Sequence, residues 1–364
     1  MLDLASAFAP DYAGAREKFH AAAATRSLAV ERHPHPSARG VTGEELAIDV
    51  AIAGSVDAAA VLFVSSAMHG VEGFCGSGCQ VGLLRDEFVQ AALARCGVAL
   101  VLVHAVNPYG FSHLRRANED NVDLNRNFRD FRAPPPSNDG YARLHAVLVP
   151  PTWPPTAEDS EALGGYVARY GVTAMQSMIS RGQSEFPDGL FYAGRAPAWS
   201  NTVLREIFTR HGGNRERLGW IDIHTGLGAW AHGEKIYFGP RDAAMIARAR
   251  AWYGGDVATV YDGTSSSAEL TGDAHDAVLD ACPQAEYTGI VLEFGTRSLN
   301  DVMQALRADQ WLANHCDAAE PVRATIRRQM REAFHDDSPT WQAMAYSQAR
   351  VAVLQALRGL SAQK

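Results

Sequence analysis

The sequence has few cysteines, and their positions follow no regular pattern. Its 364 residues include only five, Cys75, Cys79, Cys96, Cys282 and Cys316. An odd number without regular spacing does not indicate a disulfide framework. We therefore expect reduced, mostly buried thiols in a cytoplasmic protein.

Long hydrophobic segments and an excess of positive charge are also missing. No run of about 18 apolar residues is present, and the first residues lack a basic region followed by an apolar stretch, so we expect neither a membrane span nor a signal peptide. The formal net charge of −8 disfavours nucleic acid and anionic membranes as partners, because both require a basic surface. The oligomeric state cannot be predicted from these features.

Apolar residues, by contrast, are abundant: 47% of the chain is hydrophobic and 20% is charged, which is enough for a large buried core. Apolar runs at 60–66, 97–103, 218–224 and 289–294 predict strands, and helical spacing between the first two gives the order strand, helix, strand. This order predicts an α/β fold with a mixed, mostly parallel central sheet flanked by helices on both faces.

We expect residues 1–364 to form one domain. The proline-rich, partly helical segment at about 133–200 is predicted to be an insertion that covers one side of the sheet, and helices are predicted over about 298–358. Three local elements are also predicted: a loop at 33–36, one helix from 76 to about 93 and a strand over 257–260.

Four polar side chains, His69, Glu72, His224 and Glu293, lie at or just after the ends of apolar strands. Open α/β sheets place their chemistry at this edge. Two histidines and a glutamate can bind zinc and leave a fourth position open, as in catalytic zinc sites. Glu293 is surrounded by apolar residues, where a carboxylate is costly to bury unless it has a metal, a partner or a catalytic role, and it suits the role of a general base.

A second polar cluster follows the strand at 97–103. It contains Asn107-Pro108-Tyr109-Gly110, then Arg115-Arg116, then Asp123, Asn125 and Arg126. Arginine beside asparagine can bind a carboxylate through charge-assisted hydrogen bonds. A further arginine near a metal can stabilise an oxyanion, and an aspartate can hold the second ring nitrogen of a ligand histidine.

In this order, the motifs resemble the zinc carboxypeptidase superfamily over about residues 44–316. That family has His-x-x-Glu after a strand, then Asn-Pro-x-Gly, arginines, Asp-x-Asn-Arg-Asn-aromatic, a distant histidine and a glutamate on a late strand. The segments 69–74 and 292–296 resemble a poorly characterised bacterial branch of it. The resemblance implies a zinc-carboxypeptidase, or phosphorylase/hydrolase-like, fold.

The resemblance also implies roles for individual residues. It implies one zinc ion bound by His69, Glu72 and His224, Glu293 as general base, Asn125 and Arg126 on the substrate's terminal carboxylate, Arg116 (or else Arg115) on the scissile carbonyl, and Asp123 orienting His69. The family's substrate-capping tyrosine has four candidates here: Tyr192, Tyr253, Tyr261 and Tyr287.

The function implied is zinc-dependent hydrolysis of an amide bond next to the carboxylate of a small peptide or modified amino acid. A zinc-dependent deacylase of N-acyl amino acids, similar to aspartoacylase or succinylglutamate desuccinylase, is an alternative with the same ligands. The long helical region at the end of the chain favours the peptidase. An inactive binding module is disfavoured because every residue of the expected site is present.

Overall fold

A seven-stranded sheet runs through the computed structural model, which describes residues 3–55 and 57–361. Its strands are β1 (Val30–Arg39), β2 (Glu45–Gly54), β3 (Ala60–Ser66), β4 (Ala99–His104), β5 (Arg217–Trp230), β6 (Gly233–Tyr237) and β7 (Glu286–Gly295). The order across the sheet is β1-β2-β4-β3-β5-β7-β6. The four central strands are parallel to one another, whereas the outer strands pair antiparallel.

Helices surround this sheet. They are α1 (Tyr12–Thr25), α2 (Gly73–Arg85), α3 (Glu87–Cys96), α4 (Pro108–His113), α5 (Asp139–Leu148), α6 (Ala157–Tyr170), α7 (Val172–Ser180), α8 (Trp199–Gly212), α9 (Ala243–Tyr253), α10 (His275–Ala281), α11 (Leu299–Asn314), α12 (Glu320–Phe334) and α13 (Pro339–Ser361). Short 3-10 turns lie at Ala5–Ala7, Gly70–Glu72 and Leu124–Arg126.

Both faces of the central strands are buried. In β3, Leu62 and Val64 pack with residues of α1, α2 and α13, whereas Val61 and Phe63 pack on the opposite face with residues of α8 and α10. Side chains of a strand alternate between faces, so a strand covered on both sides is mostly apolar. The predicted α/β class, with a mixed sheet between two layers of helices, is confirmed.

Three local predictions were wrong. The predicted loop at 33–36 lies inside β1, where Pro34 is tolerated because β1 is an edge strand. The single helix predicted over 76–93 is two helices, because Asp86 is extended and its side chain caps the next helix by accepting from Phe88 N at 2.9 Å. The strand predicted over 257–260 is reduced to one bridge between Ile236 and Ala258.

The segment at 133–200 contains α5, α6 and α7 and the start of α8, and α11, α12 and most of α13 lie between 298 and 358. The division of the chain into one domain with an insertion stays a prediction. Within the described residues, none of the helices combines the length and the apolar character that a bilayer crossing requires.

Candidate metal centre and active site

The strand order explains how residues distant in sequence meet. The four parallel strands are neighbours in the order β4-β3-β5-β7, and their carboxyl ends lie at one edge of the sheet. His69 and Glu72 follow β3, His224 lies in β5, and Glu293 in β7 is the register partner of His224. The loops after β4 bring Arg116 to the same edge, where crevices for ligands form in open α/β sheets.

Three side chains converge tightly enough to hold a metal ion. Nδ1 of His69 lies 2.9 Å from Glu72 Oε1, and Nδ1 of His224 lies 3.1 Å from Glu72 Oε2. One ligand atom from each of the three residues lies within 4.8 Å of the others, and all three residues are buried. This set of two imidazole nitrogens and one carboxylate is a donor set that suits zinc.

A carboxylate stands behind each of the two imidazoles. Asp123 Oδ1 lies 3.2 Å from Nε2 of His69, and Asp222 Oδ2 lies 2.6 Å from Nε2 of His224. These carboxylates fix the orientation of the two rings, so that Nδ1 of each ring faces Glu72. Carboxylates that contact the second ring nitrogen of a ligand histidine are usual in metal sites. The geometry therefore fits a bound metal ion at Nδ1, Nδ1 and a carboxylate oxygen.

Asp222 was not among the residues predicted from the sequence. The signal was present, because Asp222 and His224 are two residues apart in a strand and therefore point to the same face. Asp222 is fully buried, and its other oxygen accepts a hydrogen bond from Ser65 Oγ at 2.5 Å. Both carboxylate oxygens thus have partners.

The charged groups of the cluster shift one another's pKa values. Burial would raise the pKa of Glu72, but His69 and His224 outweigh burial and hold that pKa well below its usual range. Burial would likewise lower the pKa of His224, but Asp222 and Glu72 raise it well above its ordinary value. The carboxylate of Glu72 is therefore ionised and available as a ligand.

Glu293 lies beside the cluster without belonging to it. It is 6% exposed, and its Oε1 accepts a hydrogen bond from Leu227 N at 3.0 Å. Burial, with a smaller effect of the Glu72 charge, raises the pKa of Glu293 to about 8. A cation in the neighbouring cluster would favour its ionised form, so this carboxylate is suited to exchange protons near neutral pH.

A close backbone contact joins the turn that carries His69 and Glu72 to the loop that carries the arginines. The amides of Gly70 and Val71 donate to the carbonyls of Arg116 and Arg115 at 3.2 and 2.9 Å. A side chain on Gly70 would place its Cβ 2.0 Å from the carbonyl carbon of Gly110, so only glycine allows the approach.

The two neighbouring arginines differ in position. Arg116 lines the cavity, and its guanidinium contacts Asp123 at 2.9 Å and Glu72 at 3.2 Å. Arg115 instead forms an ion pair with Asp309 at 3.2 Å and is not among the cavity-lining residues. Of the two candidates for the scissile carbonyl, Arg116 is therefore the one that faces the metal cluster.

Asn125 and Arg126 also line the cavity, and both are almost fully buried. Asn125 Oδ1 accepts from Ala274 N at 2.9 Å, and Arg126 Nε donates to the Ser180 carbonyl at 2.7 Å. Burial lowers the pKa of Arg126 to about 10, so the group stays charged at neutral pH. A buried cation of this kind favours an anionic ligand.

A cavity of about 170 Å³ connects these groups. The residues of the expected site that line it are His69, Glu72, Arg116, Asn125, Arg126, His224 and Glu293, whereas Asp123 lies behind His69. Of the four candidate tyrosines only Tyr261 lines the cavity, and its hydroxyl donates to the Gly239 carbonyl at 2.9 Å. The remaining walls are mostly apolar, including Ile236 and Phe238 on one side and Val302 and Leu306 on the other.

Residues 8–348 match the model of a family described as "Protein of unknown function (DUF2817)". The chain belongs to this family. No curated protein matches the sequence. The strands and loops that form the cavity all lie within the matched residues.

Solved structures resemble this DUF2817 protein over most of its length. Thrombin-activatable fibrinolysis inhibitor is 10% identical with a TM-score of 0.56, and the match covers 97% of this chain and 75% of that one. The bovine protein in complex with tick carboxypeptidase inhibitor is 11% identical with a TM-score of 0.50, and the match covers 97% of both chains. These neighbours are metallocarboxypeptidases, so the resemblance seen in the motifs is confirmed at the level of the fold.

Proposed function

We propose that this DUF2817 protein is a zinc-dependent hydrolase that cleaves an amide bond next to a carboxylate of a small peptide, in the manner of a metallocarboxypeptidase. One observation carries the proposal. Nδ1 of His69, Nδ1 of His224 and the Glu72 carboxylate converge in the wall of a cavity that Glu293 and Arg126 also line. The metallocarboxypeptidase fold of its structural neighbours supports a hydrolase of this general type.

Each residue then has a distinct task. Bound zinc would supply a Lewis acid that polarises the substrate carbonyl and lowers the pKa of water. Glu293 accepts the proton of the attacking water and passes it to the leaving nitrogen. Asp123 and Asp222 hold the ligand histidines in place.

The arginines give the reaction its direction. Arg126, with the side chain of Asn125 beside it, binds the carboxylate of the substrate, which places the neighbouring amide bond toward the metal cluster. Arg116 donates hydrogen bonds to the oxygen that becomes negatively charged as water adds to the carbonyl. Tyr261 is the tyrosine best placed to contact the substrate, because it is the candidate that lines the cavity.

Metal content tests the first part of the proposal. The purified protein is expected to contain one zinc ion per chain, and the exchange His69→Ala should remove it. The matched control is His232→Ala, because His232 is exposed and does not line the cavity. A protein without stoichiometric zinc, or a His69→Ala variant that retains it, would contradict the proposal.

Glu293→Gln tests the general base. The variant should keep its zinc and lose about 100-fold to 10,000-fold in kcat, the usual contribution of a positioned base. The same exchange at Glu286, on the same strand but outside the cavity, is the control and should leave turnover unchanged. Turnover retained by Glu293→Gln would remove Glu293 from this role.

A substrate panel distinguishes the peptidase from the deacylase. Dipeptides, short cell-wall peptides and N-acyl amino acids all present an amide and a carboxylate. Release of a carboxyl-terminal residue from peptides is the expected result, and product from N-acyl amino acids alone would assign the deacylase activity instead. Absence of any product from the zinc-loaded protein would favour the binding module.

The cytoplasm is the location that we propose. All five cysteines are free, and three of them are buried, as expected of thiols kept in a reducing compartment. Fractionation of the producing cells, with the protein followed by immunoblot, tests this expectation.

A further inference from the structure

Phe191 contacts both cavity-lining arginines and was not predicted from the sequence. Its ring centroid lies 5.1 Å from Cζ of Arg116 and 5.6 Å from Cζ of Arg126, and the ring itself lines the cavity. The residue is 8% exposed. Both distances fall in the range of cation–π contacts, which are strongest where water is excluded.

The backbone of Phe191 has an unfavourable conformation. Its φ is 54°, in the left-handed region that bulky side chains seldom adopt. Hydrogen bonds to the buried residue Gln183 hold the loop that carries Phe191 in place. The backbone N–H of Gln183 donates to the Phe191 carbonyl at 3.1 Å, and the backbone carbonyl of Gln183 accepts from Ala193 N at 2.8 Å. The Gln183 side chain also donates to the Leu190 carbonyl at 3.2 Å. Strain held in place by such a network is typical of functional sites.

The two arginines compete for one carboxylate. Arg116 Nε donates to Asp123 at 2.9 Å, whereas Nη1 of Arg126 stays 3.9 Å from Asp123. If Arg126 closed on Asp123, fewer of its donors would face the cavity. The ring of Phe191 contacts Arg126 without using its N–H donors, because a cation–π contact uses the face of the group. The donors that do not bond to the Ser180 and Asn125 carbonyls therefore stay available for a ligand.

We propose that Phe191 is a positioning residue that holds Arg116 and Arg126 in the orientations required to bind the substrate. The inference rests on the proposed function, since it assigns the carboxylate of the substrate to Arg126 and the oxyanion to Arg116. The loop that carries Phe191 belongs to the segment at 133–200, so this segment contributes directly to the site.

The test measures how strongly the protein prefers a carboxylate over an amide. N-acetyl-L-alanine and N-acetyl-L-alaninamide serve as probes, and calorimetry on the zinc-loaded protein gives their two dissociation constants. Phe191→Leu keeps an apolar side chain but removes the aromatic face, and Phe191→Tyr keeps the face. We expect Phe191→Leu to reduce the preference about tenfold and Phe191→Tyr to retain it.

Kinetics on the peptide that is hydrolysed best provides the second measurement. Phe191→Leu should raise KM, because Arg126 would bind the substrate carboxylate less well. It should also lower kcat, because Arg116 would stabilise the oxyanion less well, and the zinc content should stay unchanged. Phe186→Leu is the matched control, because Phe186 lies in the same loop but stacks on His145 at 4.0 Å instead of on an arginine. That variant should keep the preference of the unaltered protein.

The two proposals fail in different ways. If the unaltered protein prefers the carboxylate and Phe191→Leu keeps that preference with unchanged kcat and KM, the ring is only packing and the inference is wrong. If the unaltered protein shows neither the preference nor hydrolysis, the proposed function fails and this inference fails with it.

Discussion

The exchange Asp222→Asn tests whether the buried Asp222 carboxylate supports His224 as a metal ligand. Asp222 is fully buried and contacts Nε2 of His224 at 2.6 Å, so its charge acts at close range and without solvent screening. Asparagine has nearly the same shape, and its Oδ1 can still accept from Nε2 of His224, while its Nδ2 can only donate to Ser65 Oγ. The exchange therefore removes the charge and reverses the hydrogen bond with Ser65.

The expected loss can be given a size. Removal of a carboxylate that orients a ligand histidine typically weakens metal binding about 10-fold to 100-fold, which corresponds to about 1.4 to 2.7 kcal/mol. The contact of Asp222 with His224 is short and buried, which favours a loss in metal affinity near the upper end of this range. The retained amide moderates the loss, so we expect a decrease of about 30-fold in zinc affinity.

A competition titration of the metal-free protein against a chelating zinc indicator measures this affinity directly. Asp256→Asn is the control, because that side chain is 67% exposed and forms an ion pair with Lys235 away from the cavity. Circular dichroism of the metal-free proteins checks that the fold is intact. A well-folded Asp222→Asn variant with unchanged zinc affinity and unchanged kcat/KM would refute the argument that Asp222 supports the metal site.

Two predictions concern stability. Burial lowers the pKa of His104 to about 4 against the ordinary 6.5, so the unfolded chain binds the proton first, and about 3 kcal/mol of stability should be lost as the pH falls from 6.5 to 4. Urea unfolding across this range should show a shallower decline for His104→Gln, and equal declines would contradict the prediction. Gly70→Ala should lower stability by about 1 to 3 kcal/mol, because its Cβ would overlap the Gly110 backbone. Thermal unfolding compares it with Gly165→Ala in α6, where no atom lies within 4 Å of the added Cβ and stability should rise slightly.

The buried strands could be predicted because their sequences allow little else. β3 is apolar from Ala60 to Val64 and β4 from Ala99 to Val103, and runs of that length and composition are stable only where both faces are covered. Two of the three errors occurred where pairing with another strand decides the structure, and the third arose from the local cap at Asp86. β1 forms through pairing with β2 despite its prolines, and the run at 257–260 lacks enough pairing partners to continue as a strand.

The residues of the candidate site also differ in how far the sequence could predict them. His69, Glu72, His224 and Glu293 could be selected from the sequence, because four polar residues at the ends of apolar strands indicate a site more strongly than any one of them alone. Phe191 could not be selected, since nothing in its own segment marks it. Its contact with the arginines depends on how a loop of the 133–200 segment folds back over the ends of the central strands.

The charge of Glu72 links the candidate metal cluster to Glu293. Burial raises the pKa of Glu293 to about 8, and the Glu72 carboxylate adds to this effect. A divalent cation bound at His69, Glu72 and His224 would offset the Glu72 charge and favour the ionised form of Glu293. If the cluster binds zinc as proposed, metal binding should therefore lower the pKa of Glu293 and prepare this carboxylate to accept a proton.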